Sequence, residues 1–167
     1  MPVTIRKTKE FNWAYLAGLF DGEGTVYIWK QKFYGEKSNR KPIHTLRIFV
    51  TIGDKNVVNW IKDNFGGRID LKKSNGNRKE CFRWLIISKK AERVLKGMLP
   101  YLKTKRKQAQ LALKFRRTFD NENRKTHIYK HKDGRFVNVE IFKNVLQERK
   151  YLTNKLHLLN QRGIYAS

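Results

Sequence analysis

An unbroken run of apolar or small residues, Trp13 to Phe20, leads directly into Asp21-Gly22-Glu23-Gly24. No face of a helix made from that run suits water, and a helix apolar all round is a buried one. Ala14, Ala17 and Gly18 are small enough to let another backbone come close. Gly22 and Gly24 tolerate backbone conformations that a Cβ resists, so the segment reads as a buried helix ending in a glycine turn. That turn carries two carboxylates, Asp21 and Glu23, in a chain of formal net charge +24. Acid at the end of the most apolar segment, beside a cationic surface, points to a metal site facing a polyanion.

The charge comes from 38 lysines and arginines against 14 acids, and the likeliest polyanion for such a balance is nucleic acid. A membrane surface is disfavoured, because the sequence has no long basic amphipathic helix and no span of about 18 apolar residues. The N-terminal residues Met1 to Lys7 lack the apolar core of a signal peptide. The single cysteine, Cys81, has no internal disulfide partner, and no Cys/His cluster offers a zinc site. These features lead to the expectation of an intracellular protein. At 167 residues the chain is one domain, with a core over residues 1–119 and a basic, mostly helical extension of that domain over 120–167.

Local patterns set the element order. Thr25 to Trp29 reads as a strand, with Val26 and Ile28 on one face and Thr25, Tyr27, Trp29 and Gln31 on the other. A polar loop follows. In a second, antiparallel strand, Leu46, Ile48, Val50 and Ile52 alternate with Thr45, Arg47, Phe49 and Thr51. Asp54 can cap a short helix from Lys55 to Phe65, which Gly66-Gly67 ends. In a third strand Ile69 and Leu71 alternate with Arg68, Asp70 and Lys72. Asn75-Gly76 is a strong hairpin signal leading to a fourth strand, Phe82 to Ile87. The facing of that last strand stays open: Arg83 and Leu85 point one way, Phe82, Trp84 and Ile86 the other. A helix from Ala91 to Met98 stops at Pro100, and another runs from Lys105 to about Phe119. Residues 120–135 are polar and basic, with a turn at Asp133-Gly134. Apolar spacing from Val139 to Asn160 fits one helix or two. The result is an α+β fold, an α-β-β-α-β-β-α core with an antiparallel four-stranded sheet plus C-terminal helices.

The stretch Leu16-Ala17-Gly18-Leu19-Phe20-Asp21-Gly22-Glu23-Gly24 resembles the signature of the LAGLIDADG homing endonucleases at all nine motif positions, and the core resemblance covers residues 11 to 119. A second similarity lies in Pro100-Tyr101-Leu102-Lys103-Thr104-Lys105, followed by Gln108-Ala109. The resemblance implies a Mg²⁺-dependent, site-specific endonuclease, with Mn²⁺ or Ca²⁺ as other divalent ions for the site, encoded within an intron or intein. It implies that Glu23 is the metal ligand, where the family usually has aspartate, with the Gly22 carbonyl as backbone ligand. It further implies that Lys105 reaches the active site as a catalytic cation. A solvent-positioning residue is expected near the end of the second strand. Asp54 is the candidate there, and a helix N-cap is its equal alternative.

Only one copy of the motif is present, so the resemblance implies a homodimer, with Ala14, Ala17, Gly18 and Asp21 at the helix interface. Its partner would be double-stranded DNA with a long pseudo-palindromic target, and intron RNA is a further possible partner. Major-groove reading by a sheet would use Tyr27, Trp29, Gln31, Thr45, Arg47, Phe49, Arg68, Asp70, Lys72 and Arg83. Arg40, Lys41, Lys73, Asn75, Asn77 and Arg78 would act from the loops. The competing readings are a non-catalytic binder of the same fold, such as a maturase or DNA-binding regulator, and a general basic RNA-binding protein.

Overall fold

A computed structural model of the chain describes residues 10–31, 43–73, 79–124, 129–130, 136–137 and 140–161. Of residues 43, 120–124, 129–130, 136–137 and 140–144 it describes the backbone alone. Helix α1 spans Glu10–Glu23 and passes without a turn into β1, Gly24–Gln31. Then follow β2 (Ile43–Ile52), α2 (Lys55–Phe65), β3 (Arg68–Lys72), β4 (Cys81–Ile87), α3 (Ser88–Met98) and α4 (Arg106–Arg124). A two-residue-strand hairpin, β5 (Tyr129–Lys130) with β6 (Phe136–Val137), precedes a single long helix α5 (Glu140–Asn160). That hairpin is not expected from the sequence, whose polar composition there reads as loop. No helix among the described residues is long and apolar enough to cross a membrane.

Two hairpins, β1–β2 and β3–β4, are joined side by side through β2 and β4, giving the antiparallel order β1-β2-β4-β3. Opposed residues share a face, so the register fixes every side chain at once. Val26, Ile28, Leu46, Ile48, Val50, Trp84 and Ile86 point into the core under the helices. Trp84 and Phe20 are the largest of the fully buried side chains, and each is worth about 1.5–3 kcal/mol as removed apolar area. Trp84 also donates its indole N–H to the Gly66 carbonyl at 2.6 Å, so its polar atom is satisfied. The helix α2 starts at Asp54, whose carboxylate accepts from the Asn56 amide at 2.7 Å. It ends where Gly66 and Gly67 take φ of +74° and +94°, a region costly for residues with a Cβ.

Helix α5 belongs to the same core. Leu152 and Leu156 are buried in it, and Asn160 donates to the Val26 carbonyl of β1 at 2.7 Å. Buried Arg149 donates to the Thr118 hydroxyl at 2.9 Å and lies 3.7 Å over the Phe119 ring, stapling α5 to α4. Glu92 of α3 holds Arg116 of α4 at 3.3 Å and Lys96 at 2.7 Å.

Two expectations for α1 change. The helix is not buried all round: Leu16, Ala17 and Phe20 enter the core, while Phe11, Ala14, Tyr15, Gly18 and Gly22 are exposed. Composition cannot separate those faces, since the run is apolar on both. The glycine turn is also absent, for the helix continues through Gly22 to Glu23 and neither Gly22 nor Gly24 adopts a left-handed conformation. Gly24 is required by space: a Cβ there would lie 2.5 Å from Phe20 Cγ and from the Phe20 carbonyl oxygen.

Candidate active site and nucleic-acid interface

The last turn of α1 carries two acids and no base. That is the negative end of the helix dipole, where cations and not carboxylates are favoured. The fold answers with the loop between α3 and α4. The Asp21 carboxylate accepts from the backbone amides of Lys103 at 2.7 Å and Lys105 at 2.9 Å. Its main-chain carbonyl accepts from the Lys105 ammonium and, at 3.4 Å, from the Thr104 hydroxyl. These hydrogen bonds clamp residues 103–105 to the end of α1. Burial acts to raise the Asp21 carboxyl, but those amides and Thr104 outweigh it and hold it below the usual carboxylate range. Burial lowers the Lys105 ammonium, against the opposing pull of the Asp21 and Glu23 carboxylates. Glu23 therefore lies close enough to act on Lys105, while its own side chain is exposed.

These contacts sort the residues singled out from the sequence. Glu23 and Lys105 lie within electrostatic reach of each other. The Asp21 carboxylate accepts its hydrogen bonds from the loop of its own chain. Ala17 is fully buried within the chain's own core. One residue is about 100° of helix rotation, so Ala14 and Gly18 lie outward while Ala17 points in. Among the described residues a Cβ at Gly18 or Gly22 would meet nothing within 4 Å, so no contact among them explains why those positions are glycine. Asp54 is the N-cap of α2, the alternative its position also allowed, and its carboxylate is committed to that cap. Among the described residues no group of three or more His, Cys, Asp or Glu could hold a metal ion.

Glu23 stands directly before β1, so the acid emerges at the head of the sheet face opposite the core, which no described helix covers. Thr25, Tyr27, Trp29 and Gln31 of β1 lie there beside Thr45, Arg47, Phe49 and Thr51 of β2. The register sets Arg83 opposite both Thr51 and Asp70, which puts Arg83 and Leu85 on this face and settles the orientation of β4. Arg68, Asp70 and Lys72 complete it from β3, with Arg68 and Asp70 paired at 3.2 Å. Lys73 is exposed just beyond. Arg40, Lys41, Asn75, Asn77 and Arg78 lie outside the described residues.

Aromatic rings brace the cations of this face. The Arg47 guanidinium lies 3.9 Å over the Trp29 ring, and that of Arg83 lies 4.4 Å over Phe49. Tyr27 meets Phe49 edge-on at 5.7 Å. Stacking of this kind is worth about 0.5–1 kcal/mol at exposed sites and fixes a guanidinium before any ligand arrives. Three contributors are missed by sequence reasoning. The Asp21 clamp has no local signal, Thr51 reads only as a strand residue, and Leu85 needs the register to be placed.

The chain matches the family model described as LAGLIDADG endonuclease over residues 16–116. Its fold is similar to that of the homing endonuclease I-CvuI in complex with its target in the presence of Ca, at 21% identity, covering 95% of this chain and 87% of that one, with a TM-score of 0.66. It is also similar to the archaeal intron-encoded homing endonuclease I-Vdi141I complexed with DNA, at 15% identity, 95% and 90% coverage and a TM-score of 0.67. Against I-GzeII in complex with its DNA target the identity is 20% and the TM-score 0.59; the match covers 85% of this chain but 43% of that one. No curated protein matches.

Proposed function

The chain belongs to the LAGLIDADG endonuclease family, and from that premise we propose that two copies of it form a site-specific, divalent-metal-dependent endonuclease cutting both strands of a long pseudo-palindromic DNA site. One observation carries the reading. Lys105 is held by hydrogen bonds to the last turn of α1, within electrostatic reach of Glu23, and both stand at the head of an uncovered aromatic and cationic sheet face.

The donor set fits half of a metal site. Mg²⁺ takes hard oxygen ligands from one or two carboxylates, with other oxygens filling the rest, and Mn²⁺ or Ca²⁺ accept the same donors. The exposed Glu23 carboxylate and the Gly22 carbonyl are such donors, whereas Asp21 is committed elsewhere. The second carboxylate would come from another copy of the chain. The exposed stripe Ala14, Gly18, Gly22, four residues apart, whose two glycines no contact among the described residues explains, supports that approach. A bound divalent ion supplies an activated water and neutralises charge building on the scissile phosphate.

The residues of the chain do the rest. Glu23 would hold the ion. The Lys105 ammonium, fixed by the Asp21 clamp, would stabilise charge developing on a phosphate oxygen without moving into place first. Strands about 4.8 Å apart form a ribbon that enters a major groove about 12 Å wide. The ten residues of β2 span about 33 Å, close to one turn of duplex. Arg47 and Arg83, already stacked, are suited to bidentate contact with guanine edges, and the lysines to phosphates.

Incubating the purified protein with a library of long duplexes, with and without Mg²⁺, tests the reading. Linear double-strand products are expected only with the ion, and Glu23→Gln should bind the selected duplex and leave it intact. Selection of a duplex that is bound but never cut would reduce the function to DNA binding.

A further inference from the structure

A cavity of about 510 Å³ lies at the far end of the β3–β4 edge, between the Gly66-Gly67 turn and the start of α3. Five cations line it, Arg47, Lys62, Arg68, Lys90 and Arg93, against one acid, Asp63. Arg68 is paired with Asp70, but the other four have no ion pair among the described residues. The Arg47 Nε is buried and donates to nothing among the described residues. Helix α3 begins here with no side-chain cap and no acid in its first turn. Its first turn instead carries Lys89 and Lys90, cations at the positive end of the helix dipole, where anions are favoured. Leu85 and Ile87 give the cavity an apolar floor.

Positive charge gathered around one cavity with a single acid among its lining suits an external anion, and continuity says which. Arg47, Arg68, Leu85 and Ile87 belong both to this cavity and to the uncovered sheet face. We propose that the cavity is a second nucleic-acid site, which takes a phosphodiester of the DNA strand running off the sheet. Its phosphate sits among Lys62, Lys90 and Arg93, and its sugar against the exposed Ile87. The proposal rests on the DNA reading of the sheet and extends the footprint beyond it.

Lys90 and Arg93 are exposed, so Lys90→Gln with Arg93→Gln removes the charge without disturbing the core. The control is Lys150→Gln with Lys155→Gln on α5, equal in charge and also exposed. Affinity for a random-sequence duplex is measured from low to high salt for all three proteins. The slope of log affinity against log salt shrinks by about 0.9 for every phosphate the protein no longer neutralises. The cavity variant should therefore fall short of wild type by about 0.9 per protomer, and the control by markedly less. On a bound duplex of fixed register, neutralising phosphates one by one as methylphosphonates should reveal one flanking phosphate. Its neutralisation weakens the wild type about tenfold and leaves the cavity variant unchanged. Equal reductions in slope for both variants, or no such phosphate, would overturn the proposal. A wild type that binds no duplex would fail at the first arm, and the sheet reading would fall before the cavity does.

Discussion

Gly18→Leu separates the two explanations for a glycine in the middle of α1. Among the described residues of the single chain a Cβ at Gly18 meets nothing within 4 Å on an exposed helix face, so leucine is expected to cost the monomer no clash. Helix propensity favours leucine over glycine by roughly 0.5–1 kcal/mol, so the isolated chain should be no less stable and somewhat more so. In a two-fold assembly the same leucine appears twice where the helices cross. Overpacking costs about 1–3 kcal/mol per site, or roughly 2–6 kcal/mol for the pair. At about 1.4 kcal/mol per tenfold, the dimer dissociation constant should rise by roughly 30-fold to 10⁴-fold. Sedimentation equilibrium over a wide concentration range reads the dissociation constant, and thermal unfolding of the dilute monomer reads the fold. Double-strand cleavage should fall with the dimer. An unchanged dissociation constant would refute the crossing at Gly18. A lower Tm for the dilute variant would show instead that Gly18 packs within its own chain.

Gly24→Ala should behave in the opposite way, destabilising the monomer by about 1–3 kcal/mol because its Cβ would press on Phe20; denaturant unfolding checks it. Lys105→Met should slow cleavage by about 10² or more with duplex affinity largely kept, and an affinity loss matching the rate loss would make Lys105 a phosphate anchor. Glu92 carries the pH prediction. Burial works to raise its carboxyl from the ordinary 4.5, but Lys96 and Arg116 outweigh that and lower it. Its contribution is therefore full above the unfolded value and lost as pH falls through the folded one. Glu92→Gln should be less stable than wild type at neutral pH and converge with it in acid, as thermal melts from neutral pH down into strong acid would record; a constant gap would count against it.

The element order and most strand facings are legible from the chain alone, because alternation, capping residues and hairpin signals act between neighbours. Asp54 and Gly66-Gly67 bound α2 where local chemistry says they should, and the odd residues of β1 and β2 form the open face that parity assigns them. What spans long separations is not legible. The β2–β4 pairing joins two hairpins whose sequences carry no mark of each other, and only that pairing decides that Leu85 and Arg83 share a face with Phe49 and Thr51. The clamp that brings Lys105 to Asp21 joins residues 84 positions apart, and a short motif records the acid but not what holds it. The sides of α1 lie beyond the sequence for a different reason. Its residues are apolar in every direction, so hydropathy favours no side, and packing against α3 and the sheet alone turned Ala17 inward and left Ala14, Gly18 and Gly22 outside.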